Sequence, residues 1–121
     1  MTGRYRCETM RRKVGARAEK IADKKLREMF LKCFFSTLDT TVSESEGLPF
    51  VFTGDIPAMW LRDSSAQVMH YIPFAEEDKD VAALIRGLCE RQFGYILIDP
   101  YANAFNSEPN GKGHSGDICD A

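Results

Sequence analysis

Apolar positions in the first third of the chain follow a helical spacing. From Ala22 onward they recur at intervals of three and four residues, which places them in one stripe of an α-helix. The stripe consists of Ala22, Leu26, Met29, Phe30, Cys33 and Phe34. Asp23 is a suitable N-cap because its carboxylate can accept a backbone N–H. We expect a polar arm up to about Met10 and a break in helical structure near Gly15.

Polar residues interrupt this pattern after Phe35. Serine, threonine and aspartate side chains over residues 36–41 compete for backbone hydrogen bonds and favour a loop. Residues 43–47 have the composition of a polar turn. The apolar run over residues 48–52 then predicts a short buried strand, which a Thr-Gly pair ends.

Two further helices are predicted in the second half of the chain. Apolar positions over residues 61–72 share a helical face, and Pro73 ends that helix near Tyr71 because a residue before proline disfavours helical backbone. A second stripe keeps the helical period over residues 78–97, up to the Asp-Pro pair at 99–100. It consists of Val81, Leu84, Ile85, Leu88, Gln92, Tyr95 and Ile96. The remaining chain is predicted to be a long polar loop.

The composition is typical of a globular protein. The chain has 121 residues, of which 44% are hydrophobic, and a formal net charge of −2. That charge argues against nucleic acid as the main partner, although basic side chains gather before residue 28, either as an electrostatic patch or as a solvated helix face. No segment has the ~18 apolar residues of a membrane span, and the N-terminus lacks a signal-peptide core. We therefore expect no membrane partner and a cytoplasmic location.

The four cysteines do not form a recognisable framework. They are Cys7, Cys33, Cys89 and Cys119, with no CxxC spacing and no paired histidines nearby. We expect reduced thiols that pack as small apolar groups, with Cys33 and Cys89 on apolar helix faces. The sequence predicts no metal and no cofactor.

The densest group of chemically active residues lies in the segment TGDIPAMWLRDS. It holds the only tryptophan, Trp60, together with Asp55, Arg62 and Asp63. If Pro57 opens a helix, Trp60 and Asp63 lie three residues apart on one face. Such a face suits a sugar, because carboxylates hydrogen-bond hydroxyl groups and a flat ring packs against the C–H face.

Each of these residues also has a structural interpretation. Arg62 and Asp63 can form an ion pair, and Asp63 can cap a helix that begins at Ser64. Asp55 can close an Asx turn. Trp60 can be a core residue whose indole N–H needs a partner. The functional interpretation is favoured because the four residues follow directly from the end of one strand.

The run FVFTGDIPAMWLRDSSAQV resembles the N-terminal signature of glycoside hydrolase family 125, the metal-independent exo-acting α-1,6-mannosidases. The blocks FFSTLDTTV before it and DPYANAFN after it extend the resemblance. The resemblance implies a mainly α fold, the N-terminal part of an (α/α)6 helical toroid, with a short strand before the signature loop. It also implies hydrolysis of non-reducing terminal α-1,6-linked mannose with inversion at the anomeric carbon.

The resemblance further implies that residues 1–121 are the N-terminal portion of a single catalytic domain. The general acid and base of the family are expected beyond residue 121, so no residue here is predicted to be catalytic and this part alone should be inactive. The residues expected to bind a mannose-containing oligosaccharide are Asp55, Trp60, Arg62, Asp63, Asn103, Asn106 and His114. Loop asparagines are also common turn residues, and a loop histidine is often merely solvated.

Two other interpretations stay open. One is a different (α/α)6 glycosidase or a phosphorylase that acts on another hexose, which a downstream phosphate-binding cluster would favour. The other is a truncated, non-catalytic gene product. The sequence does not specify the oligomeric state.

Overall fold

A computed structural model describes residues 5–54 and 57–107. The helices in this part are α1 (Glu8–Ala18), α2 (Lys24–Thr40), α3 (Leu61–Val68) and α4 (Lys79–Ile98), with a 3₁₀ helix at Met69–Phe74. The strands are β1 (Val42–Ser45), β2 (Leu48–Val51), β3 (Met59–Trp60) and β4 (Ala104–Phe105). They pair antiparallel, β1 with β2 and β3 with β4. The fold is mainly α, as predicted, and the strand before the signature is β2. None of the helices described is long and apolar enough to cross a bilayer.

The helix α2 begins where the sequence predicts and runs further. The carboxylate of Asp23 caps it by accepting the N–H of Leu26 at 3.0 Å. The predicted loop over residues 36–41 is wrong, because the helix continues to Thr40. The threonine hydroxyls at its end donate to carbonyls four residues earlier, at 2.6 Å each. These side chains therefore find their hydrogen bonds within the helix instead of opening it.

The helix α1 differs from the prediction at both ends. It begins at Glu8, so the polar arm is shorter than expected, and Gly15 lies inside it. The break between α1 and α2 falls at residues 19–23 instead. A glycine costs a helix only about 0.5–1 kcal/mol, which burial of the neighbouring Met10 and Val14 outweighs.

One buried carboxylate joins the starts of α1 and α4. Asp78 is 5% exposed, and one of its oxygens accepts the N–H of Met10 at 2.9 Å. Its other oxygen accepts the N–H groups of Asp80 and Val81 at 2.9 and 3.4 Å. Helix starts leave such donors without intrahelical partners. Asp78 therefore caps α4 and fixes α1 against it.

The β1–β2 hairpin packs closely on α4. Gly87 makes this approach possible, since a Cβ atom there would lie 2.5 Å from Cδ of Pro49. One turn further along α4, Arg91 is 5% exposed. Its Nε donates to the carbonyl of Pro49 at 2.6 Å, and its Nη2 donates to the carbonyls of Leu48, at 3.1 Å, and Ser45. The guanidinium thus holds the carbonyls of both hairpin strands.

The buried face of α4 is rotated relative to the predicted stripe. Its buried residues are Val81, Leu84, Gly87, Leu88, Arg91 and Tyr95. Ile96 was predicted to be in the core and is 42% exposed. The stripe was misplaced because Arg91 is charged, and a charged residue is rarely fully buried unless its donors are satisfied.

Apolar side chains remain exposed on the 3₁₀ helix, at Met69 and Ile72, and in larger groups on two α-helices. The larger groups are Leu26, Met29 and Phe30 on α2, and Phe93, Ile96, Leu97 and Ile98 on α4. Cys33 and Cys89 are exposed on the same helices, whereas Cys7 is buried. The predicted stripe of α2 therefore lies only partly in the core, and the described part of the chain leaves these two faces open to solvent.

Tyr71 connects the 3₁₀ helix to α2. Pro73 lies inside this 3₁₀ helix instead of ending an α-helix at Tyr71. The hydroxyl of Tyr71 donates to the carbonyl of Phe34 at 2.7 Å and accepts the N–H of Leu38 at 3.2 Å. Burial raises the pKa of Tyr71 from 10.0 to about 12. The neutral phenol is thus the form that the fold requires.

Replacing Arg91 with methionine should destabilise the fold strongly. Arg91→Met leaves the buried carbonyls of the hairpin without donors, at about 1–3 kcal/mol for each unsatisfied group, so the free energy of unfolding should fall by about 3 kcal/mol. Arg86→Met, on the exposed side of the same helix, should change it by less than about 0.5 kcal/mol. Urea denaturation followed by far-ultraviolet circular dichroism measures both. Equal losses in the two variants would contradict the role of Arg91.

Alkaline pH should weaken the fold. Burial also raises the pKa of the Cys7 thiol from 9.0 to about 12. In the unfolded chain the Cys7 thiol and the Tyr71 phenol both release their protons at lower pH than in the folded chain. The contribution of Cys7 and Tyr71 to the free energy of unfolding should therefore be constant below about pH 9 and should decrease as the pH rises towards about 12. Urea denaturation across this range measures the slope, which Tyr71→Phe should reduce; an unchanged slope would exclude a contribution from Tyr71.

Candidate functional site

The signature segment forms a polar corner of the structure. This corner begins with a closed turn after β2. The N–H and the hydroxyl of the buried Thr53 both donate to the carbonyl of Ala58 at 3.1 Å. The hydroxyl oxygen accepts the N–H of Trp60 at 2.9 Å. Gly54 has a φ of +97°, a left-handed conformation that suits glycine. This turn therefore determines where β3 starts and where Trp60 lies at its end.

Trp60 and Asp63 occupy other helical positions than predicted. Trp60 is the N-cap residue of α3, which begins at Leu61, and its backbone is extended. Pro57 does not open the helix, because the turn closed by Thr53 and the strand β3 come first. Asp63 is not the cap either, but it lies in the first turn of α3. A carboxylate there interacts favourably with the helix dipole.

Arg62 and Asp63 present their charged groups to solvent. The side chain of Arg62 is 93% exposed and that of Asp63 is 47% exposed, with 3.5 Å between Nε and Oδ1. Ion pairs this exposed contribute only about 0–1 kcal/mol to stability. The pair therefore does little for the fold, and both groups are accessible to a ligand. Trp60, directly before them, is half-buried.

The strand β4 brings a second polar segment against the first. Trp60 lies opposite Ala104 in the β3–β4 pair, and the N–H of Leu61 donates to the carbonyl of Asn103 at 3.0 Å. The side chain of Asn103 is exposed. Residues far apart in sequence therefore meet at the β3–β4 junction, where the start of α3 lies beside the end of the loop that follows α4.

Asn106 is held from α4 through Tyr95. The hydroxyl of Tyr95 donates to the carbonyl of Asn106 at 3.0 Å. The ring of Tyr95 stacks on Phe105 at a centroid distance of 4.4 Å and an interplanar angle of 5°. Burial raises the pKa of Tyr95, against the opposing effect of Arg91, whose Nη1 donates to the phenol oxygen at 3.0 Å. The phenol therefore remains a hydrogen-bond donor to the loop.

The structure thus gathers four of the seven predicted ligand residues. Trp60, Arg62, Asp63 and Asn103 lie at the β3–β4 junction, and Asn106 follows β4 in a half-buried position. Asp55 and His114 lie outside the described residues. Sugar binding by all seven stays a prediction. Hydrophobic periodicity does not reveal Arg91 and places Gln92 in the apolar stripe, although a polar residue within such a stripe is itself a signal of a specific contact.

Two surface depressions lie away from this corner. One, of about 440 Å³, is lined by the hairpin turn and by α4, including Pro49, Arg86 and Glu90. Another, of about 480 Å³, is lined by the starts of α1 and α4. Across residues 5–54 and 57–107, no three histidine, cysteine, aspartate or glutamate side chains gather as metal ligands do. The signature residues line neither depression and form an open corner.

The fold also matches part of the structure of a known enzyme. The chain is 43% identical to a metal-independent α-mannosidase from Streptococcus pneumoniae, whose structure is a non-productive substrate complex with α-1,6-mannobiose. The TM-score is 0.78, and the match covers 93% of this chain and 27% of the mannosidase. The helical fold with its signature corner therefore matches one part of that α-mannosidase.

The family assignment follows from residues 23–119, which match the family described as metal-independent α-mannosidase (GH125). The chain belongs to this family, as the three sequence blocks predict. It is also 39% identical over 92 residues to the meiotically up-regulated gene 157 protein of Schizosaccharomyces pombe. This match covers 72% of this chain and 18% of the yeast protein. The chain thus spans about a quarter of the mannosidase and less than a fifth of the yeast protein.

Removing the hydroxyl of Thr53 should loosen the corner. Thr53→Val keeps the shape of the side chain but loses the hydrogen bonds of the hydroxyl to Ala58 and Trp60, so the free energy of unfolding should fall by about 1–2 kcal/mol. Because Trp60 is the only tryptophan, its fluorescence reports this site directly. We expect Thr53→Val to increase acrylamide quenching, whereas Thr53→Ser, which keeps the hydroxyl, should not. Identical quenching in both variants would contradict the closure by Thr53.

Proposed function

We propose that the protein containing this chain hydrolyses non-reducing terminal α-1,6-linked mannose with inversion of configuration, and that this part binds the terminal sugar. The observation that carries the proposal is the β3–β4 junction. It presents Trp60, Arg62, Asp63 and Asn103 together. The 43% identity to a mannosidase whose structure is a non-productive substrate complex with α-1,6-mannobiose supports the choice of sugar and linkage.

The groups at the junction are complementary to a pyranose. The carboxylate of Asp63 accepts hydrogen bonds and the guanidinium of Arg62 donates them, so together they can hold neighbouring hydroxyl groups. The indole of Trp60 offers a flat apolar surface to the C–H face of the ring. Asn103 supplies both a donor and an acceptor. Such a set fixes the orientation of one sugar without reacting with it.

The bond-breaking groups are proposed to lie elsewhere in the protein. Inversion needs a carboxylic acid that protonates the leaving oxygen and a carboxylate that activates water from the opposite side, roughly 6.5–9.5 Å apart. Asp63 lies in an open corner and is half exposed, which suits hydrogen bonding to hydroxyl groups. The relatives contain far more chain than these residues match, enough to supply the acid, the base and the walls of an exo-type pocket.

The full-length protein should release mannose from α-1,6-mannobiose in the presence of a chelator. Proton NMR of the first product should show β-mannose, as inversion requires. Cleavage that depends on added phosphate would instead indicate a phosphorylase. Failure to cleave or bind any α-mannoside would refute the proposal.

The variant Asp63→Asn should separate function from stability. Loss of a charged acceptor for sugar hydroxyls costs about 1.5–3 kcal/mol, so kcat/KM should decrease about 10- to 100-fold. The Tm should change by less than about 3 °C, because the carboxylate is half exposed. Glu76→Gln, an exposed change of the same kind, is the matched control and should alter neither value. Parallel losses of activity and Tm in Asp63→Asn would assign this carboxylate to the fold.

A further inference from the structure

Gln92 is the α4 residue that contacts the first turn of α3. Its side-chain nitrogen lies 2.9 Å from the hydroxyl oxygens of Ser64 and Ser65 and 3.2 Å from the carbonyl of Leu61. Ser64 is fully buried, and Gln92 itself is half-buried. One amide group therefore reaches three oxygens within a single helical turn.

The directions of these hydrogen bonds are consistent with one another. The hydroxyls of Ser64 and Ser65 donate to the carbonyl of Leu61 at 3.1 and 2.9 Å. Their protons are thereby committed, so the serine oxygens can accept the two N–H groups of Gln92. The N–H of Leu61 donates to Asn103. Leu61 thus joins α4, α3 and the loop before β4 in one network.

This network supplies the side-chain hydrogen bonds that the N-cap residue of α3 does not provide. The helix α3 has eight residues, and its N-cap Trp60 provides no side-chain hydrogen bond. Helices this short are marginal without tertiary contacts. Arg62 and Asp63 lie between Leu61 and Ser64 in the same turn, so any shift of this turn would also move their side chains.

We propose that Gln92 is a positioning residue for the sugar-binding corner, acting through Ser64 and Ser65 to orient Arg62 and Asp63. This inference rests on the proposed function. Tyr95, one turn further along α4, holds Asn106 through its carbonyl. One helix therefore sets the relative position of the two polar segments, although none of these contacts of Gln92 and Tyr95 involves a side chain predicted to bind the sugar.

The test is Gln92→Met in the full-length protein, because methionine keeps the length of the side chain and removes the N–H donors. For α-1,6-mannobiose, KM should increase about 10-fold while kcat changes less than about 2-fold, as expected when binding common to the ground and transition states is lost. Hydrogen exchange should become faster at the backbone amides of α3 and stay unchanged in the first half of α4. Glu90→Met, at an exposed position of the same helix, should change none of these values.

Each other outcome has a distinct meaning. An unchanged KM, or unchanged exchange in α3, would overturn the positioning role while leaving the proposed function intact. A decrease in kcat and in Tm that accompanies the increase in KM would show that Gln92 is a purely structural residue. Absence of cleavage by the unaltered protein would refute the proposed function, and the positioning role with it. Should Gln92→Met fail to fold, Ser65→Ala removes one acceptor from an exposed position and should raise KM about 3-fold; an unchanged KM there would also overturn the role.

Discussion

The described structure depends on a buried charge that is satisfied by neutral partners. The guanidinium of Arg91 is surrounded by the carbonyls of Ser45, Leu48 and Pro49 and by the phenol of Tyr95. A buried cation is expensive unless its donors are paired. The five fixed N–H groups of arginine suit a hairpin whose carbonyls face a helix, because one planar group reaches several of them at once. The directional hydrogen bonds of Arg91 therefore fix the position of the hairpin on α4, in addition to the apolar contact between the two.

The same stretch of α4 organises the candidate site. Arg91 contacts the hairpin that precedes the turn closed by Thr53. Gln92 contacts the start of α3, and Tyr95 contacts the loop after β4. Three polar residues within about one helical turn therefore reach three segments of the chain. Because a helix is rigid over this distance, the segments are fixed relative to one another. A site that is assembled from loops is held in a more exact geometry when the loops are fixed to a rigid helix.

Much of the fold could be predicted from the sequence, and the errors have physical causes. Local signals gave the start of α2, the capping role of Asp23, the strand β2 and the existence of α4, and three sequence blocks gave the family. The β3–β4 pair was missed because two-residue strands carry no periodic pattern and form only when distant segments meet. The sequence allows Pro57 to open a helix, a position that proline tolerates, but the hydroxyl of Thr53 instead bonds the carbonyl of Ala58 and the N–H of Trp60. The side-chain contacts of Arg91 and Gln92 depend on tertiary structure that periodicity does not encode.

If the proposed function holds, the arrangement also explains why sugar recognition and bond cleavage can reside in different parts of one protein. Arg62 and Asp63 contribute little to stability because their charges are solvated, and that same solvation leaves them ready to exchange water for sugar hydroxyls. A catalytic acid needs the opposite environment, a buried one that raises its pKa. An open corner at the start of a helix cannot provide that burial by itself. On the proposed function, further chain must close over the bound sugar, and the apolar faces that α2 and α4 expose give such chain a surface on which to pack.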